Sequence, residues 1–305
     1  MSLVVVTGAT GLIGQALVRE LLERGDQVIA LTRDPGRARR ALGEEVNIQA
    51  WPQPVAAPPP AEAIDGADGV VNLLGEPVAQ RWTSRAKARI RDSRVLGTRH
   101  VVAAIAALPA DRRPRVLVAQ SATGVYGPRG DEELDESAAS GSDFLAEMAK
   151  AWEAEALSAR AHGVRVVTTR TGVVLSRGGG ALEKMLPPFR LGVGGPVAGG
   201  RQYLPWIHLS DVVGGMLHAL DDERADGPLN LTAPRPVSNA EFSKALGRVL
   251  RRPAVVPVPA LALRLLYGEM ATIVLTGQRA VPRALGELGY AFRQPELDAA
   301  LADVV

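Results

Sequence analysis

The chain has 305 residues, 47% hydrophobic and 22% charged, with 32 glycines, 22 prolines and no cysteine. That length buries a sizeable core unaided, and the missing cysteine excludes disulfides, iron–sulfur clusters, thiolate zinc sites and a thiol nucleophile. With 35 Lys and Arg against 33 Asp and Glu, and 4% aromatic residues, nothing points to a nucleic-acid partner.

Leu3-Val4-Val5-Val6 opens the chain as a short β-branched run of the kind buried on both faces of a sheet, so residues 1–6 read as a strand rather than a leader. Thr7-Gly8-Ala9-Thr10-Gly11-Leu12-Ile13-Gly14 follows, then an amphipathic helix with Leu12, Ala16, Leu17, Leu21 and Leu22 on one side. Gly25 stops that helix, and Val28-Ile29-Ala30-Leu31 is the second strand. In this strand–loop–helix–strand context the glycines let backbone approach a pyrophosphate, while the helix N-terminus offers N–H groups and a favourable dipole. The second strand ends Leu31-Thr32-Arg33-Asp34. Thr32 and Arg33 stand where an acidic residue would select a free ribose 2′-hydroxyl, and a hydroxyl beside a guanidinium suits a 2′-phosphate instead. Arg37, Arg39 and Arg40 lie close behind. NADP(H) is therefore favoured over NAD.

Residues 52–62 form a proline-rich loop, and Gly69 to Gly75 reads as a strand running into a loop. A helix is expected from Arg89 to Leu108, a strand from Pro114 to Gln120, a helix from Lys150 to Ala161, and a strand from Val164 to Arg170. This alternation predicts α/β architecture: a Rossmann doubly wound parallel sheet with a smaller, discontinuous substrate-side lobe. The core is expected over residues 1–172, completed by about 205–232, with 173–305 mainly the lobe and C-terminal helices. From Gly172 the chain becomes rich in glycine and proline. Ser210 to Leu220 reads as a capped helix, and three or four helical stretches follow Asn239. The most apolar stretch, Val255 to Leu266, is broken by Pro257, Pro259 and Arg264. Nothing is built to span a membrane, so no membrane partner is expected and a cytoplasmic location is.

Glycines three apart, as in TGATGLIG, resemble the extended short-chain dehydrogenase/reductase superfamily. The segments Asn72 to Pro77 with Arg81-Trp82, Ser121 to Gly127, Trp152-Glu153, Arg170 to Leu175 and Gly192 to Pro196 narrow the resemblance. With Trp206 to His208, Asp211 and Gly277 to Pro282, they are similar to the bacterial epimerase-like family typified by YfcH, from residue 3 to about residue 303. The resemblance implies that Gly8, Thr10, Gly11, Leu12, Ile13 and Gly14 cradle a pyrophosphate, and that Thr32 and Arg33 hold the 2′-phosphate. It places Leu73, Leu74, Gly75 and Glu76 along the adenosine ribose and the bridge, with Arg94 either reaching a phosphate or remaining a surface arginine. Ser121, Arg170, Gly172, Val173 and Val174 would border the nicotinamide. Dimerisation through two core helices is also implied.

Catalytic members of that superfamily use a Ser or Thr with a Tyr-x-x-x-Lys pair, the phenol moving the substrate proton and the ammonium lowering its pKa. No such pair exists in the chain. If Glu153 matches the glutamate four residues after that lysine, Leu145 and Ala149 stand at the Tyr and Lys positions, and Ala122 falls at the serine position. Ser121 and Tyr126 are the remaining catalytic candidates, Tyr126 being the one phenol in reach. Glu76 and Arg81 suit solvated or phosphate-facing roles. Asp211 is expected to cap its helix rather than to work with His208. The histidines at 100, 162, 208 and 218 lack metal spacing, so no metal is expected. Lys184, Arg190, Arg201 and Gln202 lie in the loop region that binds substrate in relatives. Two readings stand: an NADP(H)-dependent oxidoreductase or epimerase-like enzyme acting on a small molecule with an unconventional proton donor, or a non-catalytic NADP(H)-binding protein.

Overall fold

Runs of valine, isoleucine and leucine become one parallel sheet in the computed structural model, which describes all 305 residues. Its strands in chain order are β1 (Leu3–Thr7), β2 (Gln27–Thr32), β3 (Asn47–Ala50), β4 (Gly69–Asn72), β5 (Val116–Ala122), β6 (Arg165–Thr171) and β7 (Gly227–Leu231). The spatial order is β7-β6-β5-β4-β1-β2-β3, so the winding reverses between β1 and β4. Ligands of such sheets bind at that reversal, outside the carboxyl ends of the strands.

The helices are α1 (Leu12–Glu23), α2 (Pro35–Leu42), α3 (Ser84–Ala107), α4 (Phe144–Leu157), α5 (Gly180–Arg190), α6 (Leu209–Asp221), α7 (Asn239–Leu250) and α8 (Ala260–Tyr267), followed by shorter turns and a last helix, Leu297–Val304. Strand residues alternate between two apolar layers. Val4 and Val6 pack with Leu17, Leu21, Val213 and Met216 of α1 and α6. Val5, Leu117 and Val166 pack with Val101, Ile105 and Ala156 of α3 and α4. A third cluster, built on Leu182, Phe189, Trp206, Phe242, Leu246 and Leu301, is the interior of the smaller lobe. No helix is long and apolar enough to cross a membrane.

Several boundaries differ from the sequence expectation for local reasons. α3 begins at Ser84, earlier than Arg89, because the Thr83 side chain accepts from Ala86 N–H and caps it. α4 begins at Phe144, capped in the same way by Asp143, and gives way to a tighter 3₁₀ turn over Ser158–His162. β3 is not foreseen, since Asn47-Ile48-Gln49-Ala50 is a four-residue edge strand whose two apolar residues, Ile48 and Ala50, are not buried. Asp211 does not cap α6. His208 is the N-cap, its Nδ1 accepting from Ser210 N–H at 3.2 Å while Nε2 lies 3.2 Å from Asp303. The buried Asp211 carboxylate instead accepts from Arg293 N–H (2.7 Å), Gln294 N–H (2.9 Å) and the Tyr290 hydroxyl (3.0 Å). Arg293 adds a bidentate pair to Glu20 of α1.

Candidate cofactor site

The first turn after β1 is held by a buried polar chain. Thr7 Oγ1 donates to Asn72 Oδ1 (2.7 Å) and accepts from Leu73 N–H (3.0 Å). Asn72 Nδ2 and Trp152 Nε1 both donate to Thr98 Oγ1, at 2.8 and 2.9 Å. The ends of β1 and β4 are thereby locked to α3 and α4. Gly8 leaves β1 with φ +65°, and a Cβ there would lie 2.6 Å from the Leu73 carbonyl oxygen. A Cβ on Gly14 would overlap the Gly8 carbonyl and the Ala9 backbone. Gly11 is the N-cap of α1 and supplies no side chain to its free N–H groups. The turn is thus a bare backbone cradle at a helix N-terminus, chemically an anion site.

A cavity of about 340 Å³ opens on this cradle. Gly8, Gly11, Leu12, Ile13, Gly14 and Leu73 line one side, and Gly172, Val173 and Val174 face them from the end of β6. Gln120 joins them, a residue that sequence reasoning passed over. The signal was available: on β5, Val118 points into the α1–α6 layer, and the period of two carries Gln120 and Ala122 to that same side. Thr10 is outside this lining and gives its carbonyl to Gln15 Nε2.

At the tip of β2, Asp34 is turned away from any ribose. Its carboxylate accepts from Arg37 N–H at 2.9 Å and caps α2, while its own N–H bonds Thr32 Oγ1 at 3.2 Å. Arg33 is exposed and forms no ion pair. In the loop after β4, Leu74 rests on Gly97 and Gly75 on the guanidinium of Arg94. Arg94 donates to the carbonyls of Glu76 (2.9 Å) and Ile90 (3.1 Å) and lies 5.2 Å over the Trp152 ring. Burial pushes its pKa down to about 10. It is neither a surface arginine nor a free one: it clamps the loop. The Glu76 carboxylate lies 3.8 Å from Arg89.

The two hydroxyls nominated for catalysis lie in a different network, on the α4 side of the sheet. Ser121 Oγ donates to Glu153 Oε1 at 2.6 Å. Arg170 grips the same carboxylate through Nε and Nη2, both at 2.9 Å. Its Nη1 reaches the Tyr126 oxygen (3.0 Å) and the Glu136 carbonyl (3.1 Å). Tyr126, fully buried, donates its proton to Asn230 Oδ1 at 2.7 Å. Burial disfavours the Arg170 charge, but the Glu153 pair outweighs it and holds the guanidinium above its ordinary pKa. Burial also raises the phenol of Tyr126, against the opposing pull of Arg170. Both protons are thus committed, that of Ser121 to Glu153 and that of Tyr126 to Asn230, and both side chains are buried. Leu145 packs beside Gly124, and Ala149 is buried against Val125, Tyr126, Leu134 and Ala280.

A doubly wound sheet with a glycine cradle at its reversal point defines a dinucleotide-binding class of protein. Residues 4–231 match the NAD dependent epimerase/dehydratase family, and residues 258–304 match a domain of unknown function. The chain belongs to the NAD dependent epimerase/dehydratase family. It is 40% identical over 302 residues to the chloroplastic "epimerase family protein SDR39U1 homolog" of Arabidopsis thaliana, covering 98% of this chain and 86% of that one. It is 35% identical to the epimerase family protein YfhF of Bacillus subtilis, covering 99% and 97%. The crystal structure of human epimerase family protein SDR39U1 with NADPH superposes with a TM-score of 0.88 at 36% identity, covering 99% of this chain and 98% of that one.

Proposed function

We propose that the chain binds NADP(H) along the carboxyl ends of β1, β2, β4, β5 and β6 and acts as an NADP-dependent epimerase-like oxidoreductase on a small molecule. The observation that carries this reading is the cradle at Gly8, Gly11 and Gly14, in which side chains are excluded and α1 is left uncapped. Backbone alone fits a pyrophosphate there, and Arg33 with Thr32 fits a 2′-phosphate because Asp34 is occupied as a helix cap. The NADPH in the human relative agrees with this choice. Bound NADP(H) would supply or accept a hydride. The chain's own part is to orient the dinucleotide by its backbone, to floor the cavity with Leu73, Val173 and Val174, and to present the Gln120 amide. In this reading Ser121 and Tyr126 serve the architecture, their hydroxyls held by Glu153 and Asn230.

That commitment also supports a second reading, an NADP(H)-binding protein without catalysis. One experiment bears on both. Titration of the protein with NADPH and NADH, followed by nicotinamide fluorescence, should show a preference for NADPH. Arg33→Glu should weaken NADPH by about 10–100-fold, the value of one charge-assisted contact, and leave NADH unchanged. Equal losses for both would sink the phosphate assignment. NADPH oxidation by any carbonyl or nucleotide-sugar in a panel selects the enzyme, whereas intact binding with no turnover selects the second reading.

A further inference from the structure

The outward side of α8 is apolar where a surface helix is ordinarily polar. At 100° per residue, Leu261, Ala262, Leu265 and Leu266 share one face, and all four are exposed. The three leucines are 68%, 73% and 64% exposed. Ala260 and Leu263, on the opposite side, are the half-buried residues that seat the helix. The patch continues into the approach to α8, where Val255 is 77% exposed. Alongside runs the segment after α5: Val256 N–H donates to the Gly194 carbonyl (3.2 Å) and Val258 N–H to that of Pro196 (2.9 Å). Gly192 lies against Pro253, which brings Leu191, also exposed, to the same edge.

The charge along this stretch has one sign up to Glu269, which pairs with Lys87. From Phe242 to Gly268 there is no acidic residue, while Lys244, Arg248, Arg251, Arg252 and Arg264 are present. Arg248 pairs with Asp298, but Arg251, Arg252 and Arg264 are exposed and form no ion pair. Arg251 closes α7 in the left-handed region, φ +53°, directly before the exposed valines. A second copy of the chain suits this surface poorly, because a two-fold contact sets these arginines against their own counterparts with no acid to pair them. An anionic lipid surface satisfies both features: leucines enter the acyl boundary and guanidiniums meet the headgroups.

We propose that α8 and the Arg251–Val256 approach dock in the plane of an anionic membrane surface. This is a peripheral contact, and the sequence expectation of no membrane partner rested only on the absence of a spanning run. The full-length protein should co-sediment with vesicles of phosphatidylcholine and phosphatidylglycerol, several-fold more than with phosphatidylcholine alone, and added salt should reduce the difference. The double variants Leu261→Ser/Leu265→Ser and Arg251→Ser/Arg252→Ser should each cut vesicle binding by about tenfold, while keeping the wild-type Tm and NADPH affinity. Equal recovery with and without anionic lipid overturns the proposal, as does full binding by either double variant. A concentration-dependent dimer in light scattering, dissolved by the leucine variant with no vesicle binding, would assign the patch to a second copy instead.

Discussion

Gln120 and Ser121 show how one strand separates neighbours. Val118 and Val116 face α1 and α6, Leu117 and Ala119 face α3 and α4, and Ser121 falls on the latter side with Glu153. Alternation was readable from the sequence, so the side on which Ser121 lies was too. Its partner was not, because the sheet register brings Ser121, Arg170 and Asn230 side by side while Glu153 reaches them from α4. Tyr126→Phe should leave NADPH affinity and any turnover unchanged, yet cost about 1–3 kcal/mol in urea denaturation, because Asn230 and Arg170 each lose a buried partner. Glu153→Ala should cost about 3–5 kcal/mol, since it leaves the Arg170 charge buried and unpaired. The pair Glu153→Leu with Arg170→Met should cost less than Glu153→Ala alone; a larger loss would mean that the ion pair contributes net stability.

Among the elements, the helix starts were the least evenly legible. Ser238-Asn239-Ala240-Glu241 is a capping-box pattern in plain sequence, and the structure forms it, with Ser238 and Glu241 satisfying each other's backbone N–H. A histidine N-cap at α6 has no such signature. Donation from Ser238 N–H and hydroxyl lowers the Glu241 carboxyl below its ordinary 4.5. A depressed folded-state pKa gives stability that is present above the unfolded value and lost as pH falls through the folded one. The stability gap between wild type and Ser238→Ala should therefore be about 1 kcal/mol at neutral pH and shrink as pH drops below 4.5; a gap constant with pH would refute the box as its source. In α1, Gly14→Ala should lower both Tm and NADPH affinity, because the new methyl meets the Gly8 carbonyl that shapes the cradle.

At the scale of the molecule, the βαβ alternation made the sheet, its layers and the position of the cradle legible, because each strand and helix carries its own period. The lashing of the C-terminal segment to the core was not legible, since it depends on Asp211 accepting two backbone N–H groups from residues 293 and 294, which any sequence there would offer. Asp211→Ala should orphan those groups and the Tyr290 hydroxyl, cost about 2–3 kcal/mol, and speed proteolytic cleavage beyond residue 289. Intact protease resistance in that variant would show that the last helix holds by its apolar contacts alone. Saturating NADPH, at a hundred times its Kd, should add about 2.7 kcal/mol of stability, and Arg33→Glu should cut that gain to about 0.4–1.4 kcal/mol at the same NADPH concentration while NADH still confers its own.

Ala149 gives the absence of a phenol–lysine pair a physical consequence. The position is 1% exposed and sealed by Val125, Tyr126, Leu134 and Ala280, while the nearest lysine, Lys150, points outward to Glu147. Reinstating a lysine there would drive an ammonium into a closed apolar cluster, at a cost of several kcal/mol before any gain in rate. The interior is thus closed to a phenol–lysine pair at this place: any variant that carried the lysine would first have to open a packed cluster.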